Sequence, residues 1–237
     1  MNNPKIVLKI DVDADIKNCL FFIKYNIKDN PEYIEWFLPD DLYYILKNKL
    51  NELKTNKVLK QYIQNTFEVN EKKIKENVKK TEKEWRTVEK KYFNLVNKIF
   101  KKHPWPKGKY IGFASIFMMY PRNIQSKTFL FPGIIYSKKT PSVTSVIGHE
   151  VLHFIFFDYI KKKYGLNTDS QIKGKEERYL WKISEVFNSV IESWSPYYQI
   201  FKFKTPPYTG KNYYKKMRRQ WVQNPDIDKL LDKWLKN

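Results

Sequence analysis

Between Val143 and Ile160 the chain reads VTSVIGHEVLHFIFFDYI, apolar on nearly every side of a helical wheel in its middle. A helix with no polar face has to be surrounded by the rest of the protein. Its ends carry fitting signals. Thr140 is a good N-cap and Pro141 suits the first helical position. Lys161 to Lys163 suit a helix C-terminus, and Gly165 suits the stop. The expectation is a buried helix over about 140–165, around which the other elements must assemble. No stretch approaches 18 uncharged apolar residues. Met1 to Asp11 lacks a long apolar run, so neither a signal peptide nor a membrane anchor is expected. Cys19 is the single cysteine, which excludes an intrachain disulfide and a Cys-based zinc ribbon. A cytoplasmic protein with no membrane partner is the expectation.

That apolar helix contains His149-Glu150-Val151-Leu152-His153, an H-E-x-x-H pattern, and the chain has three His in all. Histidines four apart share one helical face, so two imidazoles can grip one tetrahedral metal. The Glu after the first His projects to the side, where it can act on a metal-activated water. Two imidazoles and a carboxylate in a buried helix would be costly without a partner.

Other elements can be sketched. Residues 5–12 read as a short strand. Pro39-Asp40-Asp41 offers a helix start, and a second short helix fits Lys57–Asn65. Residues 71–101 carry an apolar stripe through Ile74, Val78, Trp85, Val88, Tyr92, Leu95 and Ile99, broken at His103-Pro104-Trp105-Pro106. Tyr110–Tyr120 and Thr128–Tyr136 read as strands joined by a loop of about seven residues, Pro121-Arg122-Asn123 being a turn region. An antiparallel hairpin is the economical reading. A helix over 176–194 should close at Ser195-Pro196, and a short one should lie around Asp226–Leu235. The fold class expected is α+β: mostly helical, with a small antiparallel sheet before the HExxH helix. A mainly helical N-terminal part (1–106) would precede the part that carries the motif (107–237).

HEVLH on a buried helix after a pair of strands resembles the zincin metallopeptidases over roughly 109–192. The resemblance implies a zincin-like fold, a Zn2+ cofactor, a peptide or protein substrate and peptide hydrolysis. His149 and His153 would be metal ligands and Glu150 the catalytic base. It also implies an edge strand that pairs with substrate, a role that Tyr110–Tyr120 fits by its order. The metzincin continuation is absent, because Phe156 and Tyr159 stand where its Gly and third His belong. A gluzincin takes its third ligand from a Glu of the next helix. There Glu185, Asn188, Ser189 and Glu192 form a polar stripe opposite Leu180, Ile183, Phe187, Val190, Ile191 and Trp194. Mid-helix Glu185 is the choice and Glu192 the reserve. Many gluzincins also carry an Asp four residues after the ligand Glu, orienting the first zinc histidine; Ser189 stands there. The oxyanion donor is sought in the tail among Tyr197, Tyr198, Tyr208, Tyr213, Tyr214, Arg218 and Arg219.

The net charge of +20 raises a rival, a nucleic-acid-binding protein with a structural metal. Lys211 to Trp221 interleaves bases with aromatics, as stacking surfaces do. Yet 40 of the 45 basic residues are Lys and only five are Arg, beside two Ala, a bias that A/T-rich codons produce without a partner. Arg is what phosphate and base recognition favour. A zincin scaffold that serves binding or regulation without catalysis is the second rival. The sequence leaves the oligomeric state open.

Overall fold

The structure, a computed structural model, describes residues 2–26, 38, 40–47, 52–135, 142–166, 175–203 and 210–236. Among them, the chain order is β1 (Ile6–Lys9), α1 (Val12–Asn26), α2 (Asp40–Lys47), α3 (Glu52–Ile99), β2 (Tyr110–Ser115), β3 (Arg122–Asn123), β4 (Thr128–Pro132), α4 (Val143–Tyr164), α5 (Lys175–Ser193), α6 (Ser195–Phe201), α7 (Lys211–Gln223) and α8 (Ile227–Leu235). The class is α+β and mostly helical. Pro39, Thr140, Pro141, the Pro206-Pro207 loop and Tyr208 lie outside the described residues.

The sheet order is β1-β2-β4-β3. β1 and β2 pair in parallel, β2 and β4 also in parallel, and only β3 runs antiparallel, against β4. The expected antiparallel hairpin of β2 with β4 is therefore corrected to a mixed sheet. Residues 116–127 are a crossover of about the dozen residues that a parallel connection requires. The segment expected to turn, Arg122-Asn123, is itself a strand, and residues 124–127 make the turn into β4. Lys127 takes the left-handed conformation at φ 55. β2 is interior, and among the described residues the edge strands are β1 and β3, so Tyr110–Tyr120 is not the edge.

α1 starts on Asp11, whose carboxylate accepts from the Ala14 N–H. One turn on, buried Asp15 accepts from the Ser115 hydroxyl at 2.7 Å and the Ile116 N–H at 3.0 Å. It thereby satisfies the backbone where β2 leaves the sheet. The two helices expected at Lys57–Asn65 and 71–101 are one 48-residue helix, α3. No Gly or Pro interrupts 52–99, and the buried stripe runs unbroken through Leu59, Ile63, Phe67, Ile74, Val78, Trp85, Tyr92, Val96 and Ile99. Lys101 and Lys102 then adopt left-handed φ of 52 and 61, and the Lys102 N–H reaches back to the Asn97 carbonyl at 2.8 Å. Such a C-terminal closure satisfies the last carbonyls before His103-Pro104 ends the helix.

α4 is the centre of the molecule, packed by α3, α5 and β4. It is long and apolar enough to cross a membrane by length and composition alone, but 89% of its most apolar window is buried inside the fold. Gly165 ends it in the left-handed conformation (φ 69), as the sequence indicates. Gly148 lets α6 approach. A Cβ there would lie 2.7 Å from the Tyr197 hydroxyl and 2.8 Å from the Phe201 ring. Ser195-Pro196 closes α5 and at once opens α6, with Pro in the first turn. The buried core is continuous across residue 106, with Leu8 of β1 and the α3 stripe in one cluster with α4 and α5.

Candidate metal centre

α4 and α5 pack face to face, and their polar stripes meet. Glu185, Asn188, Ser189 and Glu192 are all buried, as are Glu150 and His153. The α5 stripe thus turns inward onto α4. Among the described residues His149, His153 and Glu185 form a group that can hold a metal ion, with one atom of each lying within 4.8 Å of the others. His149 Nε2 and His153 Nε2 are 3.1 Å apart. Glu185 Oε2 lies 3.3 Å from His149 Nε2, and Glu185 Oε1 lies 3.5 Å from His153 Nε2. A tetrahedral ion bound at ordinary nitrogen and oxygen distances sets its ligand atoms about 3.3 Å apart.

Two further observations bear on the fit. Glu185 Oε2 is buried with no hydrogen-bond partner among the described residues, a state that protein interiors avoid. Glu150, Glu185 and Glu192 bring three carboxylates to one buried region, with Arg122 as their guanidinium. The residues present fit a metal ion.

The surroundings tune each group. His149 Nδ1 lies 2.6 Å from Glu192 Oε1, so Glu192 fixes the ring and leaves Nε2 for the centre. Glu192, the reserve third ligand, instead faces the far nitrogen of His149 and orients its ring, the role that falls to an Asp at the position of Ser189 in many gluzincins. The Ser189 hydroxyl donates instead to the Glu185 carbonyl, and the Asn188 amide donates to the His149 carbonyl. Burial disfavours charge on His149, but Glu192 and Glu185 outweigh it and raise its pKa well above the usual imidazole value. Burial, reinforced by Arg122, lowers that of His153. For Glu185 burial is outweighed by Arg122, and the carboxyl falls well below its usual range. Glu150 is pushed up to about 7 by burial, against the pull of Arg122 and His149.

Arg122 is the site residue that sequence reasoning missed. From edge strand β3 its Nη2 donates to Glu185 Oε1 at 2.8 Å, and its Nη1 lies 3.5 Å from Glu150 Oε2. Its signal was rarity, one of five Arg in a chain with 40 Lys. The described tail tyrosines lie elsewhere. Tyr197 is buried behind α4, its hydroxyl at Gly148. Tyr198 and Arg218 line a surface cleft of about 380 Å³ with Trp194 and Trp221. Tyr213 packs on Trp234 with the Lys182 ammonium 4.2 Å from its ring, and Tyr214 is half-buried on α7, as Tyr213 is. The third histidine, His103, pairs with Asp158 at 2.7 Å.

Fold and site together define an α+β chain whose central helix and its successor build a buried His-His-Glu cluster able to hold a metal. Comparison with protein-family models, curated proteins and solved structures returned no match.

Proposed function

We propose that the protein is a zinc-dependent peptidase of the gluzincin-like zincin type. The observation that carries the reading is the convergence of His149 Nε2, His153 Nε2 and the Glu185 carboxylate at 3.1 to 3.5 Å, with Glu150 beside them. Zn2+ suits two imidazoles and one carboxylate, and when bound it supplies a Lewis acid that polarises a carbonyl and acidifies water. His149, His153 and Glu185 would hold the ion, with Glu192 locking the His149 ring. Glu150 takes a proton from the attacking water and passes it to the leaving amine. β3 ends the sheet beside the site and offers the edge along which a peptide would run.

The basic segment Lys211 to Trp221 gives less support to nucleic-acid binding. Met217 and Trp221 are buried, and Tyr213 packs on Trp234, so these side chains serve the core. The test is metal content followed by activity. Purified protein should carry one zinc per chain, lost in the His149→Ala, His153→Ala double variant. Glu150→Gln should keep the zinc and lose hydrolysis of casein. A chain without stoichiometric zinc sinks the reading; equal hydrolysis by Glu150→Gln sinks the mechanism.

A further inference from the structure

We propose that Arg122 is a positioning residue: it holds Glu185 to a single-oxygen role at the metal centre and so sets the preference among dications. This rests on the metal-centre reading above and goes beyond it. Arg122 belongs to neither of the helices that carry the ligands. It sits on β3 in register with Phe129, and the Leu130 N–H bonds the Pro121 carbonyl at 3.1 Å just before it. The backbone that launches the side chain is therefore fixed to the sheet. The side chain is only 11% exposed.

The two oxygens of Glu185 are divided. Oε1 takes the Arg122 Nη2 donor at 2.8 Å, a charge-assisted bond. Oε2 is buried, has no hydrogen-bond partner among the described residues, and faces His149 Nε2 at 3.3 Å. Oε1 also lies 3.5 Å from His153 Nε2, but its lone pairs are engaged by Arg122, which leaves Oε2 as the unpartnered oxygen free to bind. The guanidinium also stands between Glu185 and Glu150, touching both, and keeps the base carboxylate from joining the ligand set. A planar fork does this by geometry in a way a point-charge ammonium does not.

One-oxygen ligation keeps the ligand set at two nitrogens and one oxygen, which favours four-coordinate Zn2+. A freed carboxylate can bind through both oxygens. It then serves ions that take more oxygen ligands, such as Mn2+. Charge does not confuse the comparison. Both ions are dications, so losing the guanidinium charge shifts both affinities together, and their ratio reads the geometry.

The experiment uses the full chain as wild type, Arg122→Met, Arg122→Gln and Arg122→Lys. Zn2+ and Mn2+ affinities come from competition with a chromophoric chelator, and the visible spectrum is recorded with Co2+ as probe. The wild type should bind one zinc and give the intense cobalt bands of a tetrahedral site. Arg122→Met should lower the zinc-over-manganese preference by about tenfold or more, in the range of lost outer-shell partners, and weaken the cobalt bands. Arg122→Gln is read the same way, so a misfolded Met variant does not remove the test. Arg122→Lys should restore part of the preference. An unchanged ratio and spectrum in the folded Met or Gln variant overturns the proposal while the zinc site stands. Weak cobalt bands in the wild type overturn it as well. A wild type that binds neither ion overturns the metal-centre reading itself, and this proposal with it.

Discussion

Replacing Asp15 by Asn should flatten the dependence of stability on pH between about 5 and 7. Asp15 is fully buried between α1 and the end of β2, and its two acceptor contacts do not offset the loss of water. Burial lifts its carboxyl from 3.8 to about 7. The sign follows from proton counting. Between those values the folded chain keeps the proton that the unfolded chain has lost. Unfolding stability therefore falls as pH rises, by at most about 1.4 kcal/mol per pH unit. Over roughly three units the loss approaches about 4 kcal/mol, complete above pH 7. Below pH 3.8 the effect is absent, because both states are protonated. The assay is urea unfolding at half-unit steps from pH 5 to 8, comparing the slopes of wild type and Asp15→Asn. Asn leaves the Ile116 N–H facing an amide, so the absolute stability of the variant can be lower; the slope is the readout. Superimposable slopes would refute the argument that Asp15 folds in its neutral form.

Three further outcomes are expected. Glu192→Gln should weaken zinc binding by about 10- to 100-fold, because His149 loses the carboxylate that fixes its ring at 2.6 Å; chelator competition checks this, and an unchanged affinity contradicts it. Gly148→Ala should destabilise the chain by about 1–3 kcal/mol, measured by denaturant unfolding, since the new methyl group meets Tyr197 and Phe201 at 2.7 and 2.8 Å. Lys101 joins Asp226 and Asp228 at 2.8 Å each, and its hydrogen bonds help hold both carboxyls below their usual range. That contribution is present above the unfolded carboxyl value and fades as pH falls below about 4. Lys101→Met should therefore cost at most about 1 kcal/mol at neutral pH and less in acid, as thermal unfolding at pH 7 and pH 3 would show.

What the sequence disclosed follows the range of the interactions. The central helix was legible because its information is local: an all-round apolar wheel, a left-handed Gly at its end, and His149 and His153 one turn apart. Glu185 was legible one step further, through the polar stripe of α5. Strand direction was not, because β2 and β4 read alike in either sense and residues 116–127 decide it. Two predicted helices merged into α3 because nothing between Asn65 and Glu71 breaks a helix. Glu192 and Arg122 were hardest. The roles of both depend on which atoms meet across elements 43 and 63 residues apart in sequence, and neither periodicity nor capping encodes that.

The length of α3 has a hydrodynamic consequence. Forty-eight residues at about 1.5 Å each make a rod of about 72 Å. A compact chain of 237 residues has a radius of gyration near 18 Å, a sphere roughly 45 Å across. The rod outruns the sphere, so the described fold is longer along α3 than a compact sphere of this chain length. It should tumble more slowly about its short axes than its 28.8 kDa mass alone implies.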